Sequence, residues 1–245
     1  MKAALISNHA TADFSANERR MVQLAESAVS MGARFLVFPE AAATGLRDTG
    51  DPERDYMLAE VLGSSRNKKW QEFAERNRVW FAAGLLERFQ RMIFDSYVIF
   101  DPSGRLALHY RRIDPGWRRP SDDQGIYCVG ERVEIIQTPF GRAGVLVCGD
   151  LWDDLIVQRM KSLKPDYILF PFLRALNPEN DWPVEFREYC ERFRMLGGRT
   201  LAVNLYEGEE QEDSFGGAWF VERDGNIISN LREGREGILI VDTSN

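Results

Sequence analysis

Apolar positions along the chain alternate between two spacings. Lys2 to Ser7 is a short continuous apolar run and predicts a strand. From Asn17 to Met31 the residues Met21, Val22, Leu24, Ala25, Ala28 and Val29 recur at helical spacing. Gly32 stands where a helix C-cap is wanted. Arg34 to Phe38 returns to a strand-like run, halted by Pro39-Glu40. Lys68 to Asn77 predicts a second helix with Trp70, Phe73 and Ala74 on one face. Val79 to Leu86, Met92 to Phe100 and Leu106 to Arg112 predict three strands. Asp101-Pro102-Ser103-Gly104 forms the antiparallel turn between the last two.

The stretch from Ile113 to Gly130 is rich in Pro, Gly, Asp and Arg and reads as a loop, long enough to suggest a function. Val133 to Gln137 and Gly144 to Val147 are strands around a turn at Pro139-Phe140-Gly141. Leu155 to Leu163 is a helix, with Asp153 or Asp154 as its N-cap. Tyr167 to Phe170 is a strand, and Val184 to Leu196 a helix ending at Gly197-Gly198. Leu201 to Leu205, Ala218 to Val221 and Ile238 to Val241 complete the strands, with an Asp224-Gly225 turn between the last two. Glu207 to Asp213 reads as an acidic surface loop. Many strands, some hairpin-joined and others linked through four helices, imply a layered α/β fold with mixed sheets. No linker-like shift in composition interrupts residues 1–245, so one domain is expected.

Composition narrows the function classes. The net charge of −7 argues against general nucleic-acid binding, which wants a basic face. No run approaches the roughly 18 apolar residues of a membrane span, and the N-terminal apolar stretch is too short for a signal peptide. Cys128, Cys148 and Cys190 are odd in number and widely spaced, which suits a reducing cytoplasm better than a disulfide framework. With His9 and His109 as the histidines and no close Cys/His pair, neither a metal nor a cofactor is expected. The expected partner is a small-molecule substrate.

Three strand ends carry candidate chemistry. Glu40 lies just past a buried strand, placed to act as a general base; an ordinary cap or ion pair is the plain alternative. Tyr110-Arg111-Arg112 ends the strand before the long loop, where a cation would steady an oxyanion. With Arg118 and Arg119 nearby, a solvated basic surface competes with that role. Cys148 ends the run Gly144-Val145-Leu146-Val147 and precedes Gly149-Asp150. A thiol at a strand mouth beside the Gly149 N–H is the minimum kit for acyl transfer; a small buried hydrophobe is its plain alternative.

Together, Phe38-Pro39-Glu40, Tyr110-Arg111-Arg112, Gly144 to Asp150, Val203-Asn204, Ser214-Phe215-Gly216-Gly217 and Asp224-Gly225 resemble the nitrilase (carbon–nitrogen hydrolase) superfamily. The resemblance implies an α–β–β–α sandwich, a Glu–Lys–Cys triad and a homodimer. Carried over by position, Glu40 is the base, Cys148 the nucleophile that forms a thioester or thioimidate, and Gly149 an oxyanion donor. Asn204 ends the matching strand, and Asp123 takes the place of an assisting acid.

Two departures stand out. Arg112 occupies the lysine position; it keeps its proton and brings a wide planar fork. Gly149 stands where an aromatic or acidic residue is more usual, which predicts open space beside the thiol. The expected activity is an amidase-like hydrolysis of a small amide or nitrile. Its substrate would bear a carboxylate, held by Arg111, Arg118 and Arg119. The alternative is a divergent protein that binds a small molecule or partner without hydrolysis.

Overall fold

The computed structural model describes residues 1–45, 49–208 and 213–243. Its strands are β1 (Lys2–Ser7), β2 (Phe35–Val37), β3 (Trp80–Phe89), β4 (Met92–Phe100), β5 (Leu106–Arg111), β6 (Ile135–Thr138), β7 (Gly141–Val145), β8 (Tyr167–Phe172), β9 (Arg199–Asn204), β10 (Ala218–Val221), β11 (Ile227–Leu231) and β12 (Gly237–Asp242). The α-helices are α1 (Phe14–Ser30), α2 (Pro52–Leu58), α3 (Ser65–Asn77), α4 (Asp154–Ser162) and α5 (Trp182–Leu196). Most of the acidic stretch expected as a surface loop, residues 209–212, lies outside the described residues.

The strands form two six-stranded sheets, in the orders β12-β1-β2-β3-β4-β5 and β6-β7-β8-β9-β10-β11. Each sheet has one antiparallel edge, three parallel strands, then two antiparallel strands. One pattern is therefore laid down twice. The inner faces meet through Leu5, Val37, Tyr97, Val145, Leu169 and Val203. On the outer face of the first sheet, Met21, Ala25, Trp70 and Phe73 pack from α1 and α3. On the outer face of the second, Ile156, Met160, Phe186 and Phe193 pack from α4 and α5. Both faces of the central strands are covered, which is why they read as continuous apolar runs rather than alternating ones. The layers are α–β–β–α, as the resemblance implies. No helix among the described residues is long and apolar enough to cross a membrane.

The sequence pattern misses two elements. Helix α2 is short, and its Asp51-Pro52 start is a capping signal: the Asp51 carboxylate accepts from Glu53 N–H at 3.0 Å. Strand β11 lies at a sheet edge with Ile227 and Ile228 half-exposed, so no buried face marks it. Consequently the Asp224-Gly225 turn joins β10 to β11, not to the last strand.

Candidate active site

Glu40, Arg112 and Cys148 leave β2, β5 and β7 at one end of the molecule, where the two inner faces open. Glu40 sits in a turn pinned to β3: Gly84 N–H donates to Pro39 O, and Ala42 N–H donates to Gly84 O. Gly84 is required there, because a Cβ would lie 2.7 Å from Glu40 Cα. Tyr97 adds a hydroxyl bond to Phe38 O at 2.7 Å. The Glu40 side chain is fully buried.

Arg112 is also buried. Its Nη1 donates to Glu40 Oε1 at 2.8 Å and lies 3.5 Å from Asp95 Oδ2, while its Nη2 donates to Asp114 Oδ1 at 2.8 Å. Burial works against its charge, but Cys148, Glu40, Asp95 and Asp114 together hold its pKa above the usual value. The guanidinium thus grips carboxylates with both arms.

Cys148 has φ +44°, a left-handed conformation that L-residues seldom adopt, and it opens a short 3₁₀ turn to Trp152. Its thiol faces the Leu173 carbonyl at 3.8 Å. Burial first, then the Glu40 carboxylate, push the thiol up to about 12, against the pull of Arg112. The turn is fastened by Asp150, whose carboxylate accepts from Val147 N–H, Tyr110 O–H, Ile113 N–H and Asp114 N–H at 2.7–2.9 Å. Burial raises Asp150 to about 6, although these bonds pull the other way. One carboxylate thereby ties the Cys148 turn to the loop that carries Arg112 and Asp114.

Gly149 does not open free space, contrary to expectation. A Cβ there would lie 2.6 Å from Asp114 Cγ and closer still to Asp114 Oδ1 and Arg112 Nη2. The room beside the thiol is filled by the arginine and its carboxylate partner.

Glu40, Arg112, Cys148 and Gly149 line one cleft of about 860 Å³. Its other lining residues include Arg174, Asp181, Glu185 and Glu188, with no lysine among the described residues. Arg174 grips Glu185 at 2.7 and 2.8 Å, so Asp181 and Glu188 give this outer wall a net negative charge.

Several expected participants lie elsewhere. Arg111 alternates with Arg112 across the strand and so faces the other way. It pairs with Glu87 at 2.6 Å and stacks over Phe94 at 3.8 Å. Arg118 is engaged with the Tyr127 carbonyl and Arg119 with the Thr49 carbonyl. Asp123 caps its own turn through Gly125 N–H at 2.8 Å and does not line the cleft. Asn204, buried at the end of β9, accepts from Arg174 N–H at 2.9 Å and Ser214 O–H at 3.0 Å. It anchors the segment bearing Leu173 rather than lining the cleft.

Sequence reasoning passed over Asp95, Asp114, Asp150 and Arg174. Asp95 had a signal, being a carboxylate within the apolar run of β4. Asp153, by contrast, caps α4 as expected, accepting from Leu155 N–H at 2.7 Å.

The sequence pattern of the carbon–nitrogen hydrolase family matches residues 2–244. Among curated proteins, the nitrilase and fragile histidine triad fusion protein NitFhit of Drosophila melanogaster is 28% identical over 91% of this chain and 49% of its own length. The aliphatic nitrilase of Rhodococcus rhodochrous is 25% identical over 84% of this chain and 57% of its own length. The chain spans about half the length of these relatives. Among solved structures, an amidase from Nesterenkonia sp. superposes with a TM-score of 0.83 at 18% identity, over 99% of this chain and 89% of that one. The glutamine-dependent NAD+ synthetase of Acinetobacter baumannii superposes with a TM-score of 0.82 at 17% identity, over 98% of this chain and 44% of that one. At these identities the two superpositions speak for the fold alone.

Proposed function

The chain belongs to the carbon–nitrogen hydrolase family, and on that premise we propose that it hydrolyses a C–N bond of a small amide or nitrile, with Cys148 as nucleophile and Glu40 as base. The observation that carries this reading is the buried Glu40–Arg112 pair on the floor of the cleft that Cys148 enters. A thiol held at about 12 is protonated at neutral pH, so its proton must leave as the S–C bond forms. Glu40 takes that proton. The Gly149 N–H and the Arg112 charge oppose the negative charge on the substrate oxygen or nitrogen. Collapse releases ammonia from an amide and leaves a thioester, which water then cleaves to the acid.

The outer wall sets the substrate's charge. None of the arginines expected to hold a carboxylate lines the cleft, and Asp181 and Glu188 outweigh Arg174. The substrate is therefore neutral or cationic at the end remote from the amide.

One observation favours a second reading. Both arms of Arg112 are already committed to Glu40 and Asp114. A guanidinium so held has little freedom to follow an oxyanion, and a protein that captures its ligand without turnover follows. Ammonia release from a panel of neutral, cationic and anionic amides and nitriles separates the two, with Cys148→Ala and Glu40→Gln alongside. Cys148-dependent release supports hydrolysis. Stoichiometric labelling of Cys148 without ammonia release refutes it and supports the binder.

A further inference from the structure

At and beneath the cleft floor lie more carboxyl groups than one guanidinium can neutralise. Glu40, Asp95 and Asp114 all face Arg112, and Glu40 and Asp95 are buried with side chains closed to water. At 3.5 Å the approach of Arg112 Nη1 to Asp95 is too long for a good hydrogen bond. Among the described residues neither Asp95 oxygen receives an N–H, nor does Glu40 Oε2. Instead the two carboxyl groups converge on the one Arg112 Nη1, at 2.8 and 3.5 Å, and three of their four oxygens are buried without a partner among the described residues. A carboxylate can only accept, so a carboxyl–carboxyl bond needs a proton on one partner. Two carboxylates drawn to one cation away from water do not both ionise without cost, and a proton on one lets it donate to the other.

We propose that Asp95 and Glu40 form a proton-sharing dyad, with the resting proton on Asp95, and that this dyad supplies the acid which the Arg112 position cannot. The catalytic half of this proposal rests on the hydrolase reading of the same cleft; the shared proton does not. Around the dyad, Arg112 is the facing cation, while Asp114, Asp150 and the Cys148 thiol complete the ionisable neighbours, with Tyr110 bonded to Asp150. Burial, then the charge of Glu40, raise Asp95 well above the usual carboxyl range.

The steps balance with water as the co-reactant. The dyad begins with one proton. As the S–C bond forms, the thiol proton passes to Glu40 and the carbonyl electron pair moves to oxygen. The dyad then gives one proton to the amide nitrogen, the C–N bond breaks and ammonia leaves. Water adds to the thioester and surrenders a proton to the dyad. When the S–C bond breaks, the thiolate takes that proton back and the acid departs. An arginine keeps its proton throughout, so the dyad carries every transfer.

The test is infrared spectroscopy of wild type and Asp95→Asn at neutral pH. The expected result is a protonated-carboxyl band in wild type that disappears in Asp95→Asn. Labelling the aspartate carboxyls with heavy carbon should shift that band in wild type, which needs no substitution and holds even if Asp95→Asn fails to fold. Absence of the band, or a band unmoved by the label, overturns the proposed proton. In turnover, Asp95→Asn should lower kcat roughly 100-fold with KM little changed, and should move the alkaline limb of the pH profile. Unchanged kcat and profile overturn the acid role. A wild type that releases no ammonia sinks the hydrolase reading, and the infrared band still decides the dyad.

Discussion

Replacing Gly149 by alanine probes the packing that distinguishes this site. Gly149 does not use a left-handed φ, so an alanine is tolerated by its backbone. The whole cost therefore comes from contact. The new Cβ would stand 2.6 Å from Asp114 Cγ, closer than side-chain atoms approach in practice. Asp114 and the Arg112 Nη2 that it holds must both retreat, breaking the 2.8 Å bond between them and the 2.9 Å bond of Asp114 to Gly116 N–H. Overfilling a packed site costs roughly 1–3 kcal/mol, and losing a charged hydrogen bond costs roughly 1.5–3 kcal/mol. One shift of the Asp114–Arg112 pair relieves the contact and breaks the bond together, so the terms overlap and about 2–3 kcal/mol is expected. For a chain of this size that lowers Tm by about 4–12 °C. Denaturant titration and thermal unfolding measure it directly. The decisive comparison is the same substitution in an Asp114→Ala background, where the cost of Gly149→Ala should fall, with a remainder set by the Arg112 Nη2 that still crowds the new Cβ. An undiminished cost there, or a Gly149→Ala protein as stable as wild type, would refute the packing argument.

Three further outcomes follow from the geometry. Glu87 is buried, which raises its pKa, yet its bonds from Arg111, His109 and Ser96 prevail and lower it from 4.5 to about 2. Its stabilising share is present above pH 4.5 and is lost as pH falls through 2. Glu87→Gln should thus cost about 3 kcal/mol at neutral pH, with the gap to wild type closing in acid unfolding curves below pH 4.5. Arg111→Ala should destabilise the fold in the same denaturation assay while leaving kcat/KM within about threefold, because Arg111 faces away from the cleft. Cationic amides should outperform anionic ones of equal size in ammonia release. Asp181→Asn with Glu188→Gln should erase that preference, as should high salt; a preference for carboxylates would overturn the wall's assigned role.

Much of this site is legible in sequence because three strands stop abruptly. Pro39 halts the run before Glu40, and Gly149 follows Cys148 at once. The layered fold is legible for a related reason: strands covered on both faces leave continuous apolar runs that stand apart from helical spacing. The partners of the site are harder to read. Asp95, Asp114 and Asp150 come from a strand interior, a loop and a turn, and they converge through tertiary contacts that no local spacing encodes. Arg111 shows the opposite error. Strand alternation excludes it once Arg112 faces inward, yet a cluster of arginines in sequence invites grouping them in space. The substrate charge proposed here departs from the carboxylate expectation for the same reason, since the cleft's outer wall comes from α5 and the segment before it and not from the basic loop.

Arginine at position 112 is one part of a fitted set, and that determines what Arg112→Lys should do. Glu40 takes one arm of the guanidinium and Asp114 the other, and Gly149 leaves room for both. A lysine offers a single compact ammonium. It can keep the contact with Glu40 only by abandoning Asp114, leaving a carboxylate short of its partner and a gap beside Gly149. Removing one member of a buried ion pair typically costs about 3–5 kcal/mol; Asp114 is partly exposed, so about 1–2 kcal/mol is the better expectation here. A lysine at position 112 should therefore lower both stability and turnover in this chain, measured by denaturation and by ammonia release. Turnover should recover partly when Asp114→Asn accompanies it, because an amide does not demand a cation. If Arg112→Lys alone were more active than wild type, the arginine would be a defect that the site has merely absorbed, and Asp114, Gly149 and Asp95 would have to be explained without it.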